Sequence, residues 1–299
     1  MDRGRRLHYG HFYAEIPLPS DDTRPLLLIH GNCQAEALRV LLGHPASPVR
    51  TVRMPPVHEL AEDDLPYLYR LLGQTQLLVS QPVRSGYRGL PIGTGDLLPR
   101  VRAKREPVIV PVMRWPALQP AQVIVRTTVE EPVPVVPYHD IRTMARAAGT
   151  GVPTVNAAGV RAVRELGIDQ LRERQARHGT LPVDDLFVAA GRDACQVLNH
   201  PGNPVLRGVA QRMVEALGES WEVPEPGRVL LDEVHAPLEQ VVIDALDLTG
   251  TATTFWRVNG REIENEDVQA AQLAWYERHP GSAQAGLARH IDVRAALQA

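Results

Sequence analysis

The chain has 299 residues, 44% of them hydrophobic and 22% charged, with a formal charge of −3. This length buries a substantial core, and the slight acidic excess gives no electrostatic case for nucleic acid as the main partner. All but one of the 32 basic residues are Arg, the exception being Lys104, so a lone Arg says little about anion binding. The basic start, Arg3-Gly4-Arg5-Arg6, leads into no apolar segment, and no stretch approaches the roughly 18–20 apolar residues of a membrane span. A cytoplasmic protein with reduced thiols is expected. Cys33 and Cys195 are too few for a disulfide framework or a zinc ribbon, and no His-x-His or His-Glu-x-x-His spacing occurs, so no metal is expected.

Residues 1–25 read as an N-terminal extension, followed by one α/β domain over 26–299. Its first element is Leu26-Leu27-Leu28-Ile29, a continuous apolar run of the kind a buried parallel strand shows. The run ends at Gly31. From Gln34 to Leu42, Ala35, Leu38, Leu41 and Leu42 recur at helical spacing, and Gly43 closes the helix. A second strand is predicted around Val49 to Val52. Asp63, Asp64 and Pro66 start a helix that carries Leu65, Leu68 and Leu72 on one face. Gln76-Leu77-Leu78-Val79 gives a third strand and Val108-Ile109-Val110 a fourth. Strands alternating with helices imply a parallel sheet over about 26–137.

The Pro132, Pro134 and Pro137 segment is a connector, and a mainly helical part is predicted over about 138–299. Asn203 as N-cap, Pro204 at the first position and Gly218 past the end bracket one helix. Two more are predicted around Asp267 to Arg278 and Ala283 to Leu297.

The turn Gly31-Asn32-Cys33-Gln34 is the candidate site. A helix N-terminus offers unpaired N–H groups and a positive dipole end, which favour a thiolate and stabilise a nearby oxyanion. Gly31 supplies φ > 0 and close approach, and Asn32 and Gln34 place amide donors on either side of the sulfur. A packed structural thiol, with Asn32 merely capping the helix, is the alternative. Gln81, ending the third strand, shares the crevice outside the carboxyl ends of the strands, or else braces a loop carbonyl.

The base that a Cys nucleophile needs is sought among eleven His. His200 leads, because the helix that follows it would keep the ring neutral. His139 is second, although Asp140 beside it suits a helix N-cap better than an orienting role. His235 is third, with Asp232 as its orienter. Each of the three could equally be structural. Arg84, Arg88 and Arg207 are candidates for phosphate contacts. Gly93-Thr94-Gly95 fits a turn before a helix better than a phosphate loop, and Cys195 fits a buried thiol.

Gly31-Asn32-Cys33-Gln34, Ser80-Gln81-Pro82-Val83-Arg84 and Tyr87-Arg88-Gly89-Leu90 resemble the WcbI-like family of polysaccharide-biosynthesis acetyltransferases. Tyr138-His139-Asp140, Asn199-His200-Pro201 and Asn203-Pro204-Val205-Leu206 extend the resemblance. It implies a coenzyme-A-binding enzyme that moves an acetyl group to a hydroxyl of a sugar or related acceptor. The first strand-turn-helix is also loosely similar to SGNH-type hydrolases, with Cys in place of their Ser. A cysteine-dependent thioesterase or esterase therefore stands as a rival, and a non-catalytic ligand-binding module as another.

Overall fold

The structure, a computed structural model, describes residues 3–102, 106–125 and 129–299. In chain order it contains α1 (Arg3–His8), β1 (Leu26–His30), α2 (Cys33–Leu42), β2 (Arg50–Thr51), α3 (Leu65–Leu72), β3 (Leu77–Ser80), α4 (Thr94–Leu97), β4 (Val108–Ile109), β5 (Gln122–Val123), β6 (His139–Asp140), α5 (Ile141–Ala147) and α6 (Ala157–His178). There follow α7 (Asp184–Ala190), β7 (Cys195–Val197), β8 (His200–Pro201), α8 (Asn203–Ala216), β9 (Val234–His235), α9 (Gln240–Ala245), β10 (Phe255–Val258), β11 (Arg261–Glu264), α10 (Asn265–Arg278), α11 (Ser282–Arg289) and α12 (Ile291–Leu297). The elements form two compact units. The first comprises Met1–Val112, Glu173–Leu186 and Asn203–Leu230; the second comprises Met113–Arg172, Phe187–Gly202 and Leu231–Ala299.

The first unit is built on a parallel sheet of order β2-β1-β3-β4. Every residue of β1 and β3 is buried. Strands covered on both faces need apolar residues at consecutive positions rather than alternating ones, which is why both appear as unbroken runs in the sequence. The register pairs His30 with Ser80, so β1 and β3 end level and their following residues, Gly31 and Gln81, emerge side by side. Beyond β4, the backbone N–H of Leu181 donates to Ile109 O at 2.8 Å. α2 contacts β1 and α8, and α3 buries Leu68, Leu71 and Leu72.

Residues 3–25 contribute to the core of this unit. Phe12 and Tyr13 are buried in one cluster with Leu26, Leu28, Leu68 and Leu72. The Tyr13 hydroxyl donates to Asp64 Oδ1 at 2.8 Å and accepts from Arg5 Nε at 2.9 Å. Asp64 also accepts from the backbone N–H of Ala61 at 3.0 Å, closing the turn that starts α3.

The second unit holds helices and small antiparallel pairings. α5 packs with α10 and α11 in a cluster around Trp275, Met144 and Leu287. The mainly helical expectation omits a three-stranded antiparallel sheet of order β11-β10-β9. Its hairpin turns at Asn259 and Gly260 with φ of 48° and 78°, the pair that a two-residue hairpin with both φ positive demands. The predicted helix over 283–297 is interrupted at His290 and becomes α11 and α12. In the first unit, Asn203 does not cap α8. Its side chain donates to Arg228 O at 2.8 Å and accepts from Leu230 N at 3.0 Å, tying down a distant loop.

Tyr13→Phe removes a donor from a carboxylate that is 2% exposed. Chemical denaturation should show a loss of about 1–3 kcal/mol, from leaving a buried acceptor under-satisfied.

Candidate active site

Cys33 is the first residue of α2, directly after the carboxyl end of β1. Asn32 caps the helix: its Oδ1 accepts from Gln34 N at 2.9 Å, and its carbonyl accepts from Ala35 N at 2.9 Å. The Cys33 side chain is half-buried and forms no disulfide. It stands where the dipole and N–H groups of the first helical turn favour negative charge.

Gln81 holds this turn in place and is 1% exposed. Its Oε1 accepts from Asn32 N at 2.9 Å, while its Nε2 donates to Gln34 Oε1 at 3.0 Å and, at the long limit, to Pro111 O at 3.5 Å. The Gln81 backbone N–H donates to His30 O at 2.8 Å. Gln81 therefore does lie beside the thiol turn, as a buried brace. Gln34 is fully buried, and its Oε1 is the partner of that brace.

Gly31 is needed for a different reason from the expected one. Its φ lies outside the left-handed region. A Cβ there would sit 2.5 Å from Gln81 Oε1 and 2.8 Å from Gln81 Cδ, so glycine is what admits the Gln81 amide to the turn. The Gly31 carbonyl accepts from Val57 N at 2.8 Å.

The loop after Gln81 is clamped at its base by Thr94. The Thr94 hydroxyl donates to Gln81 O at 2.9 Å and accepts from Val83 N at 3.1 Å. Gly93 is the N-cap of α4, and its N–H donates to Asp96 Oδ2 at 2.9 Å, so this segment is a turn before a helix. Arg84 and Arg88 are exposed on the loop. Arg88 reaches the His58 carbonyl; Arg84 makes no ion pair among the described residues. Arg207 donates to Val223 O at 2.9 Å and to Glu225 Oε1 at 2.6 Å, and also lies 3.5 Å from Glu222. Its guanidinium is thus committed to bracing a loop, which leaves it poorly placed to serve a phosphate.

His30, the last residue of β1, is completely buried. Its Nε2 lies 2.9 Å from Ile92 O, and a carbonyl only accepts, so Nε2 carries the proton. The bare Nδ1 has no partner. Burial pushes the ring's pKa down to about 4.

The three candidate bases belong to the second unit. His200 pairs with Val197 across the β7–β8 hairpin. Burial, rather than the following helix, is the main cause that lowers its pKa, with Glu233 acting the other way. The ring is neutral near pH 7, and its Nδ1 is buried without a hydrogen-bond partner. Gly202 just beyond is obligatory, since a Cβ would lie 1.9 Å from Asp193 O.

His139 is 1% exposed, with its Nδ1 against the Tyr276 hydroxyl and its ring edge-on to Trp275. Burial pushes its pKa down to about 4. These are the surroundings of a core histidine. Asp140 caps α5, accepting from Arg142 N at 2.7 Å. His235 is more exposed, and its Nε2 lies 2.6 Å from Asp232 Oδ1, the orienter expected for it. Arg257 competes for the same carboxylate oxygen at 2.8 Å. Cys195 is buried, its S–H directed at Trp115 O and Gln119 Oε1, both 3.6 Å away, and burial pushes its pKa up. No group of His, Cys, Asp and Glu among the described residues is arranged to hold a metal ion.

A thiol at a helix N-terminus, braced at the carboxyl edge of a parallel sheet, defines the protein as an α/β chain with a rigid strand-to-helix thiol turn. The family model described as the polysaccharide biosynthesis enzyme WcbI matches residues 26–222, and the chain belongs to that family. The fold is also that of a solved structure of WcbI, described as a novel polysaccharide biosynthesis enzyme, with 21% identity and a TM-score of 0.78. The match covers 92% of this chain and 99% of that one. That structure is of the native protein without a disulfide bond between coenzyme A and one of its cysteines. No match is found among curated proteins.

Two measurements check this architecture. Gly31→Ala should lower the melting temperature and loosen the turn, read as faster alkylation of Cys33, because the Cβ displaces the Gln81 amide. The histidines set a pH dependence. His30 and His139 bind protons more weakly when folded (near pH 4) than when unfolded (near 6.5), so their contribution is present above about pH 6.5 and is lost as pH falls towards 4. Urea titrations should show stability falling through that window by up to about 1.4 kcal/mol per pH unit for each ring, with a shallower slope in His139→Gln.

Proposed function

We propose that the protein is a coenzyme-A-dependent acyltransferase that moves an acetyl group to a hydroxyl of a sugar or natural-product acceptor. The observation that carries this reading is Cys33 at the first position of α2, in a turn braced by buried amides. Membership of a polysaccharide-biosynthesis family supports a saccharide acceptor, and the naming of coenzyme A with the WcbI structure, there without a disulfide to one of its cysteines, supports the donor.

In this mechanism the Cys33 thiolate attacks the carbonyl carbon of the acetyl thioester. The negative charge that develops on the carbonyl oxygen is met by N–H groups of the first helical turn. The C–S bond to coenzyme A then breaks, coenzyme A leaves as a thiolate and takes up a proton, and an acetyl-Cys33 thioester remains. A base then takes the proton from the acceptor hydroxyl as its oxygen attacks that thioester, and Cys33 leaves as a thiolate; His200, its proton affinity lowered by burial, has the chemistry for that role. Arg84, exposed and without an ion pair, is the residue of the loop after Gln81 suited to a phosphate of the donor.

Calorimetric titration with coenzyme A and acetyl-CoA should give binding in the micromolar range or tighter. Acetyl-CoA alone should add the mass of one acetyl group to the protein, an adduct absent from Cys33→Ala. His200→Ala should still form the adduct but pass it on roughly 10²–10⁴-fold more slowly. In the wild type, the transfer rate should fall on acidification with a midpoint below about 6.5, because the buried imidazole must stay neutral. Full transfer by Cys33→Ala would remove the nucleophile role, and rapid thioester hydrolysis without any acceptor would favour a thioesterase acting through the same thiol.

A further inference from the structure

The first unit carries a second polar cleft, at the opposite end of β1 from the thiol turn. It opens beside the edge strand β2, and about 560 Å³ of space, part of it open solvent, lies between its walls. Its walls include Arg24 and Leu26 at the start of β1, Gly43 at the end of α2, and Arg50 and Thr51 of β2. Arg39 closes it from the side of α2. From Leu26 to His30 the strand rises about 13 Å, and neither Cys33 nor its neighbours Asn32 and Gln34 line this cleft.

Three arginines and one carboxylate, Asp22, line the space. The donors are unequally used. Arg24 grips Asp22 with Nε at 2.8 Å and NH2 at 2.6 Å, and spends NH1 on Pro45 O and Ser47 O. Arg39 grips Glu36 with Nε at 2.7 Å and NH2 at 2.9 Å; Glu36 also pairs with Arg53 at 3.1 Å. Each acid is therefore already matched. Arg50 is different. Of the five N–H donors of a guanidinium, it spends one, from NH1 to Pro19 O at 3.1 Å. Its Nε is buried and has no partner. Its charge acts on Asp22, but that carboxylate is already held by Arg24 at both oxygens.

Arg50 is thus a cation on the wall of this cleft with most of its N–H donors uncommitted, while the other charges there are paired, an arrangement suited to an oxyanion. We propose that Arg50, supported by Arg24 and Arg39, forms an anion site that binds the phosphate group of a phosphate-bearing ligand. Such a group completes the donor set of Arg50 and neutralises the excess positive charge of the cleft. Nothing in this inference depends on the role of Cys33.

The probe is inorganic pyrophosphate, titrated into the full-length protein by calorimetry at low ionic strength, with melting curves to verify that each variant is folded. Wild type should bind it with sub-millimolar affinity that weakens as salt rises. Arg50→Gln should weaken binding about tenfold or more, and Arg50→Lys, which keeps the charge but loses the fork, by less. Asp22→Asn keeps the acceptor for Arg24 N and removes the competing charge, so it should bind more tightly than wild type, a gain that misfolding cannot imitate. Glucose 1-phosphate and coenzyme A, titrated in the same way, identify the source of the phosphate by which of them loses affinity in Arg50→Gln; either result supports the site. Absence of pyrophosphate binding at millimolar concentration would overturn the proposal. Equal affinities in wild type, Arg50→Gln and Asp22→Asn would overturn it as well.

Discussion

The side-chain amide of Gln81 joins the ends of two parallel strands, and the thiol turn depends on that junction. One amide oxygen holds the backbone of Asn32, and one amide nitrogen holds the side chain of Gln34, so the residues on both sides of Cys33 are fixed from beneath. The junction can form only because β1 and β3 end level in register and because Gly31 has no side chain to exclude the amide. A hydrogen bond of this kind contributes about 0.5–1.5 kcal/mol, whereas leaving a buried amide group unpaired costs about 1–3 kcal/mol. The brace therefore acts more through the penalty for breaking it than through its own strength, a property suited to keeping a reactive turn in one conformation.

Burial, more than any nearby charge, governs the histidines. His30, His139 and His200 all have lowered proton affinity, and in each the first cause is removal from water. The consequences differ with surroundings. His30 spends its one proton on the Ile92 carbonyl, and His139 packs among Trp275 and Tyr276. His200 is partly open to solvent and lies on a short hairpin.

The sequence made the sheet legible because doubly buried strands must be apolar at every position; Leu26 to Ile29 and Leu77 to Val79 carry that signature without any partner being known. The thiol turn was legible for the same local reason, since strand, glycine, cap and helix are consecutive between Leu26 and Leu42. Long-range economies were not. Asn203 has the chemistry of a cap, yet it serves a loop some 25 residues away, and nothing in its neighbours distinguishes the two uses. The bond from Gln81 to Gln34 Oε1 spans 47 positions, and nothing beside Gln34 announces it. Phe12 and Tyr13 stood in an extension without a period, and only the carboxylate at 64 shows what they anchor. The Asn259-Gly260 turn was readable, but its flanking strands are four residues each, too short to outweigh the surrounding helical pattern.

The first unit is assembled from three separate stretches of chain, and this sets a timetable for its completion on the ribosome. β1, α2, β3 and β4 can all emerge before α8 has been made, yet α8 is a neighbour of α2. Roughly 170 residues separate the thiol turn from α8, and at 5–20 residues per second that is a wait of about 10–30 s. During that interval the apolar side of α2 that α8 will cover has no native cover, and the nascent sheet depends on chaperones or on transient non-native contacts to remain soluble.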